Sequence, residues 1–228
     1  MSETDSFINE VSEEVRRDRL YGYVRRYGWI AVLAVLLIVG GTAYNEYSDA
    51  QEAATAQAAG DAMLDALGQD DPEARAAALA EVDAQGEAVA VTDLLTAATQ
   101  QEAGDLAAAK ATLDGLAVNP DVPQIYRDVA GFKAALINLP DTDQTARRQT
   151  FEALSQPGAP FRLLALEQLA QMDVAAGETD AAITTLRAIL EDAAVTRGLR
   201  ERAQSLIVAL GAELEQPAVA GADDSADQ

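Results

Sequence analysis

The sequence predicts an all-α protein in which one apolar helix precedes a series of helical hairpins. Alanine is abundant and aromatic residues make up only 5% of the chain, a composition that favours helices packed through small contact residues. Helix-breaking residues recur at intervals of about 12 to 18 residues, the length of ordinary globular helices. No interval shows the sustained alternation that a strand requires.

The first element is an uncharged run from residue 28 to residue 44, GWIAVLAVLLIVGGTAY. A spanning helix needs about 20 predominantly apolar residues, with about 17 as the lower limit. Aromatic side chains lie at both ends of the run, where a membrane–water interface would hold them: Tyr27, Trp29, Tyr44 and Tyr47. We therefore expect a single transmembrane helix over residues 28–47.

Charges flank this run asymmetrically. Five arginines and one aspartate lie in residues 16–26, whereas no lysine or arginine follows the run until Arg75. Because cytoplasmic flanks are enriched in basic residues, residues 1–27 are expected in the cytoplasm and residues 48–228 across the membrane. A cleaved signal or a buried soluble helix are the alternatives, but the segment before the run is long and the exit lacks a small-residue cleavage site.

The cytoplasmic segment has a pattern of its own. Within residues 1–15, apolar residues recur at helical spacing: Phe7, Ile8, Val11 and Val15. The segment is either a solvated stub that fixes the topology or a short docking helix for a partner.

Composition excludes most site chemistry. The formal net charge is −22, which argues against a nucleic-acid partner, and the chain has neither histidine nor cysteine. Thiol nucleophiles, disulfides, Ser-His-Asp triads and Cys/His zinc sites are therefore impossible. Capping explains Asp70-Asp71 and solvation explains Asp223-Asp224. We expect no enzyme activity and no catalytic, cofactor-binding or metal-binding residues.

Two stretches resemble each other. Residues 90–121 align with residues 164–195 when Gly104 is matched to Gly177. Small or apolar residues then coincide before and after the turn: Ala97 with Ala170, Ala109 with Ala182, Leu113 with Leu186, and Leu116 with Ile189. The alanines are expected where two antiparallel helices approach most closely, the glycines in left-handed turns, and Asp105 and Asp180 as helix caps.

This Ala…Gly-(Asp/Glu)-x-x-x-Ala…Leu pattern resembles the tetratricopeptide repeat, and Pro120 lies near the expected end of the first copy. Gln100 and Asp173 occupy positions where a tyrosine is common. A degenerate repeat is expected between the two copies, with helices near residues 124–138 and 143–154. A generic alanine-rich bundle is the alternative interpretation.

The whole chain resembles the YfgM-like family, ancillary subunits of the bacterial SecYEG translocon that carry a periplasmic repeat domain. The resemblance implies an inner-membrane protein whose repeat domain, residues 48–212, has a chaperone-like or scaffolding role near exported proteins. Implied partners are a translocon or another membrane complex and unfolded periplasmic clients. A structural or assembly scaffold of the cell envelope is the alternative function. Residues 213–228 are expected to be a disordered acidic tail.

The expected binding surface of such repeats is formed by the first helix of each hairpin, here residues 88–103, 124–138 and 161–176. Aromatic residues near it are expected to belong mainly to the core: Tyr126, Phe132, Phe151 and Phe161. Arg197, Arg200 and Arg202 form a local basic face that we expect to pair with nearby acids, or otherwise to contact an acidic partner.

Overall fold

The computed structural model describes residues 3–213, with side chains described for residues 25–26, 29–30 and 33–213. That part of the chain contains helices and no strand, which confirms the all-α prediction. The helices are α1 (Glu3–Leu67), α2 (Pro72–Ala80), α3 (Glu87–Glu102), α4 (Leu106–Ala117), α5 (Gln124–Leu136), α6 (Gln144–Leu154), α7 (Arg162–Ala176), α8 (Thr179–Glu191) and α9 (Arg197–Ala209). Residues 214–228, nearly all of the predicted tail, lie outside the described residues.

The chain divides into two compact units, residues 1–58 and residues 59–228. In the first unit, α1 runs without a break through the predicted cytoplasmic segment and the predicted anchor. Among the described residues, none of the helices combines the length and apolarity needed to cross a membrane. The side chains of residues 28, 31 and 32, which belong to the predicted anchor, lie outside the described set.

In the second unit, each helix from α2 to α9 packs against the next helix in the chain. Three apolar clusters hold this series together, and each is shared by three consecutive helices. The first joins α3, α4 and α5, the second α5, α6 and α7, and the third α7, α8 and α9. Packing between neighbours in sequence is consistent with an α-solenoid.

The four alanines of the repeated pattern are fully buried: Ala97, Ala109, Ala170 and Ala182. The paired large residues after the turn are buried with them: Leu113, Leu116, Leu186 and Ile189. The same sequence positions therefore perform the same packing role in the α3–α4 and α7–α8 hairpins, as the alignment predicts.

The turn chemistry is mostly as predicted. Gly104 and Gly177 adopt left-handed backbone conformations, with φ of 84° and 80°, a region that favours glycine. The Asp105 carboxylate caps α4 by accepting a hydrogen bond from the Ala108 amide at 2.9 Å. The expectation for Asp180 is wrong, because it lies inside the first turn of α8 and Glu178 occupies the N-cap position.

The middle hairpin confirms the predicted helices near residues 124–138 and 143–154, which are α5 and α6. Its connection differs from those of the other two hairpins. Residues 137–143 join α5 to α6, whereas residues 103–105 join α3 to α4 and residues 177–178 join α7 to α8. The middle repeat therefore carries the longer loop, and this loop contributes to the groove described below.

We predict that Ala97→Leu destabilises the protein by about 1–3 kcal/mol, because added methylenes have no space where α3 meets α4. Ala98→Leu is the matched control, since Ala98 is exposed on the same helix. It should change stability by no more than about 0.5 kcal/mol. Urea unfolding of the full chain, followed by far-ultraviolet circular dichroism, measures both. Equal effects of the two substitutions would contradict the close approach.

Candidate interaction surfaces

The abundant carboxylates form no metal-like cluster in the described chain, where no group of three or more aspartate or glutamate side chains converges as metal ligands would. Asp71 caps α2, as predicted, by accepting a hydrogen bond from the Ala74 amide at 2.9 Å. Asp223 and Asp224 lie outside the described residues.

The predicted basic face on α9 is largely neutralised. Arg197 donates to Glu201 at 2.8 Å, and Arg202 donates to both carboxylate oxygens of Glu167 at 2.7 Å. The expected pairing with acids is confirmed for these two arginines. It is wrong for Arg200, which donates to the backbone carbonyl of Leu190 at 3.4 Å.

The Arg202–Glu167 pair joins α9 to α7, which are not neighbours in sequence. The Glu167 carboxylate is almost entirely buried, and two parallel hydrogen bonds satisfy it. The hydrogen bond to Glu167 raises the pKa of Arg202 above its ordinary value. This pair orients the last helix, because a buried carboxylate left without its arginine would be costly.

Further ion pairs join other helices of the second unit. Arg148 of α6 donates to Asp173 of α7 at 2.7 Å, and Arg162 at the start of α7 donates to Asp192, just after α8. Asp173 therefore connects α7 to the preceding helix through an ion pair. At the equivalent Gln100, the side-chain carbonyl accepts from the Thr112 hydroxyl at 2.9 Å.

Charge is distributed unevenly along residues 48–212. Residues 48–121 contain fifteen acidic residues and two basic ones, whereas residues 122–212 contain eleven acidic and nine basic ones. Both basic residues of the first half are engaged: Arg75 with Glu102 at 2.8 Å and Lys110 with Asp114 at 2.7 Å. The first half therefore presents an almost purely negative surface.

The expected binding surface on the first helices of the hairpins exposes separate apolar side chains rather than one pocket. They are Val91 on α3, Ile125 and Leu136 on α5, and Leu164 on α7. Asp93 lies among them on α3, and partial burial raises the pKa of its carboxyl. These features suit shallow apolar and polar contact.

The aromatic residues belong to the core, as predicted. Phe151 is fully buried, and Phe132 meets its ring edge-on with centroids 5.7 Å apart. Phe132 also stacks on Phe161 at 5.9 Å, and Tyr126 packs against the first cluster. Packing between these aromatic rings therefore connects α5, α6 and the start of α7.

A groove of about 560 Å³ lies between α4, α5 and the loop and first turns leading into α6. Apolar residues form most of its lining: Ala117, Val118, Ala134, Ala135, Ile137, Leu139 and Ala146. The sequence predictions placed binding on the first helices only, whereas α4 and α6 are second helices of their hairpins. Two features of the sequence could have revealed this groove. They are the long connection at residues 137–143 and the small residues that line the groove with it, Ala117, Gly131 and Ala134.

A second depression, of about 640 Å³, lies between the start of α6 and the end of α7. Its lining mixes polar residues, among them Gln144, Arg148 and Gln171, with apolar ones. Because Arg148 is already paired with Asp173, this depression offers little unsatisfied charge to a ligand.

Comparison of the chain with known protein families, with curated proteins and with solved structures finds no match.

We predict that Asp192→Asn lowers stability at neutral pH and that this difference disappears in acid. The hydrogen bond from Arg162, and then that from the Ala194 amide, lower the pKa of Asp192 below its ordinary value of 3.8. A carboxyl with a lowered folded-state pKa stabilises the protein above the unfolded-state value and loses that contribution as pH falls through the folded-state value.

The measurement is the urea midpoint of wild type and variant from pH 7 to pH 2, a range that extends well below 3.8. Glu191→Gln is the control, because Glu191 is the adjacent exposed carboxylate and makes no ion pair in the described chain. A gap between wild type and Asp192→Asn that stays constant below pH 3.8 would contradict the assignment.

Proposed function

We propose that the protein is a membrane-anchored protein–protein interaction module of the bacterial inner membrane, with its helical domain in the periplasm. One observation carries this proposal: α1 displays a long row of exposed apolar side chains. From Ile30 to Val39 the exposed fractions of its described large apolar residues range from 45% to 68%. An uncovered apolar surface of this extent marks a membrane or protein contact.

Features at the two ends of the row favour a membrane over a protein groove. The side chains of Trp29, Tyr44 and Tyr47 are largely exposed and flank the row, as interfacial aromatics do. Arg25 and Arg26 precede it, whereas Glu46, Asp49 and Glu52 follow it. This asymmetry supports a cytoplasmic N-terminus and a helical domain on the opposite side.

The helical domain supports the interaction role. Its helices pack neighbour to neighbour, and buried alanines recur at equivalent positions of two hairpins, as in a tetratricopeptide-repeat-like solenoid. Such repeats serve as binding scaffolds. Without histidine or cysteine, the domain is better suited to holding a protein than to performing chemistry on it.

The resemblance to the YfgM-like family narrows the proposed partner. We place the protein beside the translocon, as an ancillary or chaperone-like factor that contacts exported polypeptides. In this role the anchor holds the repeat domain at the exit site, so position in the membrane is a large part of the function. The negative surface of residues 48–121 keeps the domain soluble and away from anionic lipid.

The topology is testable by cysteine labelling, because the natural chain has no cysteine. Ser12→Cys and Ser205→Cys each introduce one thiol, the second on an exposed residue of α9. We expect a membrane-impermeant maleimide to reach Cys introduced at position 205 once the outer membrane is permeabilised. Labelling at position 12 should require lysis of the inner membrane. Equal labelling at both positions before lysis would contradict the topology.

The partner is testable by photocrosslinking in cells. A photoreactive amino acid is placed at Arg25 or Tyr47, on either side of the apolar row, and adducts are identified by mass spectrometry. We expect adducts with translocon subunits from both positions, and Arg187, exposed on α8, serves as a distant control. Adducts with division or outer-membrane assembly proteins instead would favour the envelope-scaffold alternative.

A further inference from the structure

The groove between α4, α5 and the α5–α6 loop lies where the middle hairpin departs from the other two. Its floor is made of small residues: Ala117 on α4, and Gly131 and Ala134 on α5. A Cβ added to Gly131 would lie 3.7 Å from the Ala117 Cβ, an ordinary contact distance. The lining side chains at these positions are short. They therefore leave space in the groove for larger side chains of a bound molecule.

One apolar side chain that lines the groove is left in solvent. Val118, directly after α4, is 78% exposed, more than any other described large apolar residue of the second unit. Leu139 of the longer loop also lines the groove, but it is half-buried and packs against the first cluster. An apolar side chain inserted into the groove would remove Val118 from water, which is the driving force for binding.

The rim carries net negative charge. Lys110 is bound to Asp114 at 2.7 Å, and Arg147 donates to the Ala135 carbonyl at 2.7 Å, with its guanidinium carbon 5.6 Å from the centre of the Phe151 ring. Both cations at the groove are thus engaged within the protein. Asp141, in contrast, is exposed and makes no ion pair among the described residues.

We propose that this groove binds a segment of a partner polypeptide that presents an apolar side chain flanked by lysine or arginine. The proposal rests on the function proposed above and specifies the chemistry of the bound segment. A volume of about 560 Å³ accommodates a few side chains. The carboxylate of Asp141, which has no ion-pair partner among the described residues, receives the flanking cation.

Charge complementarity favours a cationic partner segment over an anionic segment or a second copy of the chain. With a net charge of −22, the chain attracts cationic segments and repels both anionic segments and a second copy of itself. The acidic residues between residues 59 and 121, in the same unit as the groove, extend this negative field along the helices that precede it. Cationic segments are therefore guided towards the rim before the apolar contact forms.

The test uses the full chain in phosphatidylcholine nanodiscs and a fluorescent synthetic peptide in which lysine alternates with leucine. Fluorescence anisotropy measures binding, and empty nanodiscs correct for attachment to lipid. Two further peptides isolate the chemistry, one with glutamate in place of each lysine and one with serine in place of each leucine. We expect binding of the lysine–leucine peptide, and at least about tenfold weaker binding of the other two.

Variants locate the binding. Gly131→Leu fills the groove from its floor and should weaken binding by about tenfold, while Gly115→Leu places the same side chain on exposed α4 and should have no effect. Asp141→Asn should weaken binding by about two- to fivefold, whereas Asp121→Asn, in an exposed turn, should not. Circular dichroism verifies that each variant is folded.

Val118→Ser provides a second test of the same groove if Gly131→Leu does not fold. Because Val118 is exposed, this substitution leaves the core unchanged.

Three results would overturn the proposal: equal binding of the glutamate peptide, full binding by both Gly131→Leu and Val118→Ser, or no binding by the wild type. A self-association that Gly131→Leu abolishes would assign the groove to a second copy instead. These failures leave the function proposed above standing if photocrosslinking beside the anchor still yields translocon adducts. If those adducts are absent but the peptide still binds, the proposed role beside the translocon is refuted and the proposed chemistry of the groove is not.

Discussion

The close approach of paired helices at buried alanines is the constraint on which the helical domain depends. Ala97 and Ala109 in one hairpin, and Ala170 and Ala182 in another, are fully buried. Short side chains at these points bring two helices together closely enough for the leucines beyond the turn to meet the next helix. Each cluster is consequently shared by three consecutive helices, and the series holds together without one central core.

Ion pairs supplement this small-residue packing where apolar area is limited. A domain with few aromatic residues buries less apolar area at each helix–helix contact and gains less stabilisation from it. Arginine side chains connect its helices at several points instead. Arg202 reaches from α9 to Glu167 on α7, and Arg148 connects α6 to Asp173 on α7. With both partners paired and partly shielded, these contacts fix orientation in a chain whose excess of negative charge opposes compaction.

Most of the helix pattern was predictable from sequence, since its determinants are local. Gly104, Gly177, Asp71 and Asp105 act through their own backbone or that of the next turn, so their roles follow from residue type and spacing. Asp180 was misplaced because it lies three residues after Gly177, whereas Asp105 directly follows Gly104. Glu178 is the residue that directly follows Gly177, and it occupies the N-cap position. Long-range pairs such as Arg202–Glu167 join residues far apart in the chain, and spacing alone does not specify them.

The groove escaped prediction for a related reason. A binding surface assigned from the general plan of a repeat uses equivalent positions of every copy, whereas this groove exists only where the copies differ. The extra residues of the 137–143 loop carry Leu139 and Asp141 to the rim, and Gly131 replaces the side chain that would otherwise occupy the space above Ala117. For the proposed partner segment, such a departure provides a unique position, which a surface repeated in every hairpin would not give.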